Sequence, residues 1–378
     1  MKKLLTLSAA ALAIGAATLP ATSVVAQETI SPVIITDVGG IDDKSFNQSA
    51  WEGLQAYGSE NGLEEGPGGY FYLESKSDSD YVTNINTAIQ GGSNLIFGIG
   101  YKLQPAIDEA AGQNPDGHFV IVDSVVEKEN VASITFKDNE AAFLAGVAAA
   151  MTTKTDHIGF IGGVESEVID RFEAGFVAGA KTVNPDIEIS IEYAGHFADA
   201  PKGKQLAASI YSSGADIIYH AAGGTGQGVF SEAKDRVSND PSQELYVIGV
   251  DLDQDAEGLI EVDGEERHLT LASTLKQVGE SVKSFAEKTQ ANGFEGGVQT
   301  LGLADGGVDL TTEYLTDEVK KAIEDYKQQI IDGDIVVPEK PGEEVKTSKE
   351  DSDSEEAKDE STDGESEEAE ETETTEAE

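Results

Sequence analysis

The sequence predicts an α/β protein of two parallel-sheet lobes joined by crossing hinge strands, with a ligand cleft between them. Three observations predict it. Short apolar runs rich in β-branched residues alternate with helix-periodic segments along nearly the whole chain, the pattern of parallel sheets covered on both faces. The body, about 310 residues, exceeds what one hydrophobic core usually holds, and no Ser/Gly-rich linker divides it, so the lobes must share strands. Charged residues follow several of the apolar runs directly, where open sheets present ligand sites.

In chain order, residues 1–26 carry Lys2 and Lys3, an Ala/Leu-rich apolar stretch and small residues before Gln27, the layout of a cleaved secretory signal peptide. The expected strands lie at 33–36, 70–73, 94–98, 119–123, 131–135, 158–162, 187–193, 216–220, 246–250 and 269–273. Among the helices between them, 81–90 places Val82, Ile85 and Ile89 on one face, 140–151 is Ala-rich, and 276–292 carries Val278, Val282 and Phe285 as a stripe. The first lobe is expected to span 27–136 plus about 252–296, and the second 137–251 plus about 297–338. Residues 339–378 hold 19 acidic and 4 basic residues with few apolar ones, a disordered, self-repelling acidic tail.

The net charge is −47, of which the tail holds −15 and the body from 27 to 338 holds −34. Nucleic acid and anionic membranes are therefore poor partners. Such a body reads either as a solvated surface suited to salty or alkaline surroundings or as an acidic face for cations or a basic partner protein. The absence of cysteine excludes disulfides, thiolate metal sites and a lipid-modified cysteine after the leader, so a secreted or extracytoplasmic protein with no lipobox is expected. The five histidines, His118, His157, His196, His220 and His268, have no metal-ligand spacing, and no Gly-x-Ser-x-Gly elbow occurs. Neither metal nor cofactor is expected.

The most informative segment starts at Asp37. A strand end runs into Gly39-Gly40, then into a helix with Ala50, Trp51, Leu54 and Tyr57 on its apolar stripe and Asp42 or Asp43 as N-cap. Phe46 and Asn47 fall at its start, a ring for stacking and an amide for edge recognition of a flat heteroaromatic. Asp123, Asp251 and Lys276 end later strands in the same way. The glycine loop containing Gly223 lacks both dinucleotide and P-loop spacing and reads as a turn lining the cleft.

These residues, with the motifs around Phe143, Ile161, Gly195, Ile248 and Ser273, resemble the basic membrane protein family of ABC-importer substrate-binding proteins, in order from about Val33 to Pro338. The resemblance implies a type I periplasmic-binding-protein fold that captures a nucleoside, a purine nucleoside first, and passes it to a membrane permease. It implies that Phe46 and Phe197 sandwich the base, that Asn47 and Asp123 bond its edge, and that Asp251 and Lys276 hold the ribose hydroxyls. Asp37 and Gly223 complete the expected ligand-binding set. Lys276 is expected to pair with Asp251, since a lone buried ammonium is costly. A monomeric binding protein, not an enzyme, is expected. A receptor for a sugar or autoinducer, or a nucleoside hydrolase, remain as alternatives.

Overall fold

The structure, a computed structural model, describes residues 30–348. The expected leader and most of the acidic tail lie outside them. The first lobe contains β1 (Pro32–Ile35), α1 (Phe46–Glu60), β2 (Phe71–Leu73), α2 (Tyr81–Gln90), β3 (Leu95–Ile99), α3 (Gln104–Gln113), β4 (His118–Val122) and β5 (Val131–Phe136). The second lobe follows with α4 (Asp138–Thr152), β6 (His157–Gly162), α5 (Glu167–Val183), β7 (Glu188–Tyr193), α6 (Ala200–Ser212), β8 (Ile217–Ala221), α7 (Gly226–Asn239) and β9 (Tyr246–Asp251). After α8 (Asp255–Gly258) come the hairpin β10 (Leu259–Val262) and β11 (Glu265–His268), then β12 (Thr270–Lys276). The chain ends in α9 (Val278–Asn292), β13 (Gly297–Leu301), β14 (Val308–Leu310), α10 (Asp317–Ile331), β15 (Ile335–Val336) and β16 (Lys346–Thr347).

The two six-stranded sheets run β13-β5-β4-β3-β1-β2 and β14-β12-β9-β8-β6-β7. Their parallel cores have the same order, so the strand sequence reverses between β1 and β3 in one lobe and between β6 and β8 in the other. Loops diverge at such a reversal and open a crevice at the strands' carboxyl ends. β14 alone in these sheets is antiparallel.

Strand alternation explains the two-faced cover. Val33 and Ile35 pack with Tyr81, Ile85 and Ile107 from α2 and α3, whereas Ile34 joins Leu54, Tyr57 and Val282 from α1 and α9 on the other face. In the second lobe Ile218 and Val247 face α6 and α7, while Ile217, Tyr219 and Ile248 face α4 and α5. Side chains of successive strand residues point to opposite faces, so near-continuous apolar runs were required. Val82 is a departure from the expected stripe: it is 43% exposed, and Tyr81 takes the inward position.

The chain crosses between lobes three times, from β5 into α4, from β12 into α9, and from β13 into β14. This corrects the expected lobe boundary. Residues 252–276 stay in the second lobe because β12 pairs in parallel with β9, and only then does α9 pack on α1. Likewise β13 returns to the first sheet beside β5 before β14 rejoins the second. The tail expected from 339 is also not wholly free: Lys346 and Thr347 pair with Val336 and Ile335. No helix among the described residues is long and apolar enough to cross a membrane.

Candidate functional site: a cleft between the lobes

All eight residues expected at a ligand site line one cavity between the lobes, a concave site with apolar walls and a few convergent polar groups. Asp37 follows β1, Asp123 follows β4, Asp251 ends β9 and Lys276 ends β12, so four strand ends point charge into one crevice. Asp123 and Asp251 occupy equivalent places at the carboxyl ends of β4 and β9, the third strand in each sheet order. Both take left-handed backbone angles, φ 66° and 67°, a conformation that aspartate tolerates better than most residues.

At the first wall, Asp43 does the capping expected of Asp42 or Asp43, but from outside the cap position, which is Ser45. Its carboxylate accepts the backbone N–H groups of Ser45, Asn47 and Gln48 at 2.9, 3.0 and 3.1 Å. It also accepts from Asn47 Nδ2 at 2.9 Å, and Asp37 Oδ1 accepts from the same nitrogen at 2.8 Å. Both amide protons of Asn47 are thereby taken, which fixes the side chain and leaves Oδ1 buried without a hydrogen-bond partner among the described residues. Phe46, one residue earlier, is half-buried at the cavity face.

The opposite wall comes from the second lobe. Phe197 lies in the loop after β7, and a Cβ at Gly163 would come within 2.2 Å of its ring, so only glycine lets the ring lie there. Gly223, at φ 55°, turns the loop after β8 under Phe197, whose carbonyl oxygen would lie 3.2 Å from a Cβ at that position. Val168, Ile169 and Phe172 from the first turns of α5 add an apolar surface that the sequence reading did not assign to the site.

Lys276 is 3% exposed, and its surroundings differ from expectation. Nζ donates to Asp123 Oδ2 at 2.6 Å and lies 3.0 Å from Asp138 Oδ1, rather than pairing directly with Asp251. The ammonium also stands 5.2, 5.1 and 5.6 Å from the ring centroids of Phe46, Phe136 and Phe172. Asp251 instead accepts from Ser45 Oγ across the cleft, and Gln254 Nε2 donates to the Lys44 carbonyl at 2.7 Å, so two further bonds join the lobes. Ser45, Tyr101 and Asp138 are polar residues that sequence reasoning missed, and Asp43 was expected only as a helix cap.

Burial raises the acids of this cleft. Asp37 is pushed up to about 6, against the donors Gly39 N–H and Asn47. Asp251 is raised to about 7 by burial, with Lys276 and Ser45 opposing. Burial also holds Asp123 above the usual carboxylate range, with Lys276 as its main counterweight. The lining is thus rich in acceptors, and its buried cation is already engaged by carboxylates. Such a surface suits an uncharged ligand that brings donors and a flat ring.

A hinge-linked pair of doubly wound lobes with this cleft defines a binding protein that closes on a small molecule. Residues 30–341 match the family described as ABC transporter substrate-binding protein PnrA-like, and the chain belongs to that family. It is 53% identical over 315 residues to the ABC transporter nucleoside-binding protein BmpA of Lactococcus lactis, covering 82% of this chain and 90% of that one. It is 52% identical over 313 residues to a CD4+ T-cell-stimulating antigen of Listeria innocua, covering 82% and 88% respectively. A crystal structure of an ABC transporter solute-binding protein from Aeropyrum pernix superposes with a TM-score of 0.73 at 24% identity, covering 88% of this chain and 98% of that one; it supports the type I two-lobed fold.

Proposed function

We propose that the cleft captures a nucleoside, with purine nucleosides preferred, outside the cytoplasm, and that the closed protein delivers it unchanged to a membrane permease. The observation that carries this reading is the pair of buried acceptors without protein partners among the described residues, Asn47 Oδ1 and Asp123 Oδ1, in a cavity flanked by Phe46 and Phe197 from opposite lobes. An unsatisfied buried acceptor is costly, and the N–H edge of a base stacked between two rings would satisfy both. Asp251 and Lys276 then face the ribose hydroxyls. A phosphate would meet Asp37, Asp43, Asp123 and Asp251, and the cation lining the cavity, Lys276, is already engaged by carboxylates, so nucleosides are favoured over nucleotides. The name of the Lactococcus lactis relative agrees with the ligand class.

A thermal-shift screen against nucleosides, nucleotides, free bases and sugars tests this. Nucleosides at a hundred times their dissociation constant should stabilise by ~2.7 kcal/mol. Stabilisation by sugars alone, or by nucleoside monophosphates as strongly as by nucleosides, would overturn the reading.

A further inference from the structure

Running from the cavity wall, four side chains alternate in charge across two of the three crossings between the lobes. Arg171, on α5, donates from Nε and Nη2 to Asp138 Oδ2 at 3.2 and 3.1 Å. Asp138, at the first crossing into α4, has a fully buried carboxylate whose Oδ1 lies 3.0 Å from Lys276 Nζ. Lys276, at the second crossing, donates to Asp123 Oδ2, and Asp123 Oδ1 is the acceptor left over for the ligand. Arg171 does not line the ligand cavity; it lies at the outer mouth of the cleft with Lys102, Ser166 and Glu167.

We infer that Arg171 and Asp138 are positioning residues that hold Lys276, and through it Asp123, as a fixed acceptor for the N–H edge of the base, and so set discrimination at that edge. This rests on the nucleoside reading above. The reasoning is electrostatic and geometric. Lys276 is shared between two carboxylates, and Arg171 is what engages Asp138 from the far side with a forked contact. Take Arg171 away, and Asp138 draws the ammonium towards itself and away from Asp123. The groups facing Asp123 are Lys276 on β12, Asp138 on α4, Arg171 on α5, Asp251 at the end of β9 and Tyr101 after β3. Burial and Asp138 favour its protonated form, whereas Lys276 and Arg171 favour the carboxylate. Losing Arg171 therefore moves Asp123 towards a protonated state, which presents a donor where the base also presents a donor.

The test is isothermal titration of inosine into wild type, Arg171→Met and Arg171→Lys at pH 6 and pH 8, read as the ratio of variant to wild-type affinity at each pH so that the other titrating acids cancel. The expected result is a loss of tenfold or more for Arg171→Met at pH 6 that narrows to within threefold at pH 8, with Arg171→Lys shifted less in the same direction. If the methionine variant does not fold, the lysine variant carries the same comparison. A deficit equal at both pH values, or no deficit, overturns the positioning role alone. Absence of inosine and guanosine binding by the wild type overturns the nucleoside reading and this inference with it.

Discussion

Replacing Lys276 by methionine is expected to destabilise the protein by ~3–5 kcal/mol, the usual cost of removing one partner from a buried charge cluster. The ammonium is nearly inaccessible and engages Asp123 and Asp138 directly, with Asp251 close enough to sense its charge. Without it three buried carboxylates face one another with the partly buried Arg171 as the remaining cation nearby. The affinity of Asp123 and Asp251 for protons, already raised in the folded protein, then rises further above that of the unfolded chain. A group raised in this way contributes stability at low pH and loses it as pH climbs through its folded value. The deficit should therefore be larger at pH 8 than at pH 5 in denaturant titrations. Lys321→Met, at an exposed position of α10, should change stability by no more than about 0.5 kcal/mol. An equal deficit for Lys276→Met at both pH values would contradict the charge-cluster explanation.

The ligand-free wild type carries the same dependence in milder form. Asp37 and Asp251 titrate near 6 and 7 in the folded protein, against an ordinary aspartate value near 3.8. Each raised acid favours the folded state below the ordinary value and ceases to do so as pH passes its folded value. The shifts correspond to roughly 3 and 4 kcal/mol, lost between about pH 4 and pH 7.5. Asp251→Asn should remove the larger part of this slope, and melting curves across that range would show it. Nucleoside binding runs the other way, because donors on the ligand favour ionised acceptors. The ligand-induced thermal shift should consequently grow from pH 5 to pH 8 while the ligand-free melting temperature falls. A ligand-free protein that gains stability across that window would contradict the assignment of these acids.

Most of the fold was legible because its central strands are apolar on both faces. All ten expected strands occur, nine of them within a residue of their expected ends, while the last runs three residues further, to Lys276. What escaped notice has a common cause. β13 is an edge strand with four exposed residues, β14 is three residues long, and the hairpin of β10 and β11 buries only Val262 and has a wholly polar second strand, so none produces a buried-strand signal. The lobe boundary after β9 was misplaced for the same reason that the fold is hinged: whether a strand stays or crosses depends on which neighbour it pairs with, and β12 carries no local mark of its partner.

The site divides in a similar way. Asp37, Asp123, Asp251 and Lys276 were visible as charges that end apolar runs, and Phe46 and Asn47 as an aromatic and amide at a helix start. Asp138 was not, because an acid in the first turn of a helix is ordinarily explained by the helix dipole. Phe172 was not, because its spacing from Val168 and Ile169 is that of any core stripe. The partner of Lys276 was misjudged because Asp123 and Asp138 lie 153 and 138 positions away in the chain and meet it only where the crossings converge.

The most direct measurement of the central claim is isothermal titration of guanosine and inosine into the wild type, Phe46→Ala and Asp123→Ala. Stacking against one ring is worth ~1–3 kcal/mol and a charge-assisted bond about as much, so each variant should lose tenfold or more in affinity from a one-to-one wild-type complex. Unchanged affinity in both variants, or no binding of either nucleoside by the wild type, would contradict a nucleoside held between Phe46 and Phe197.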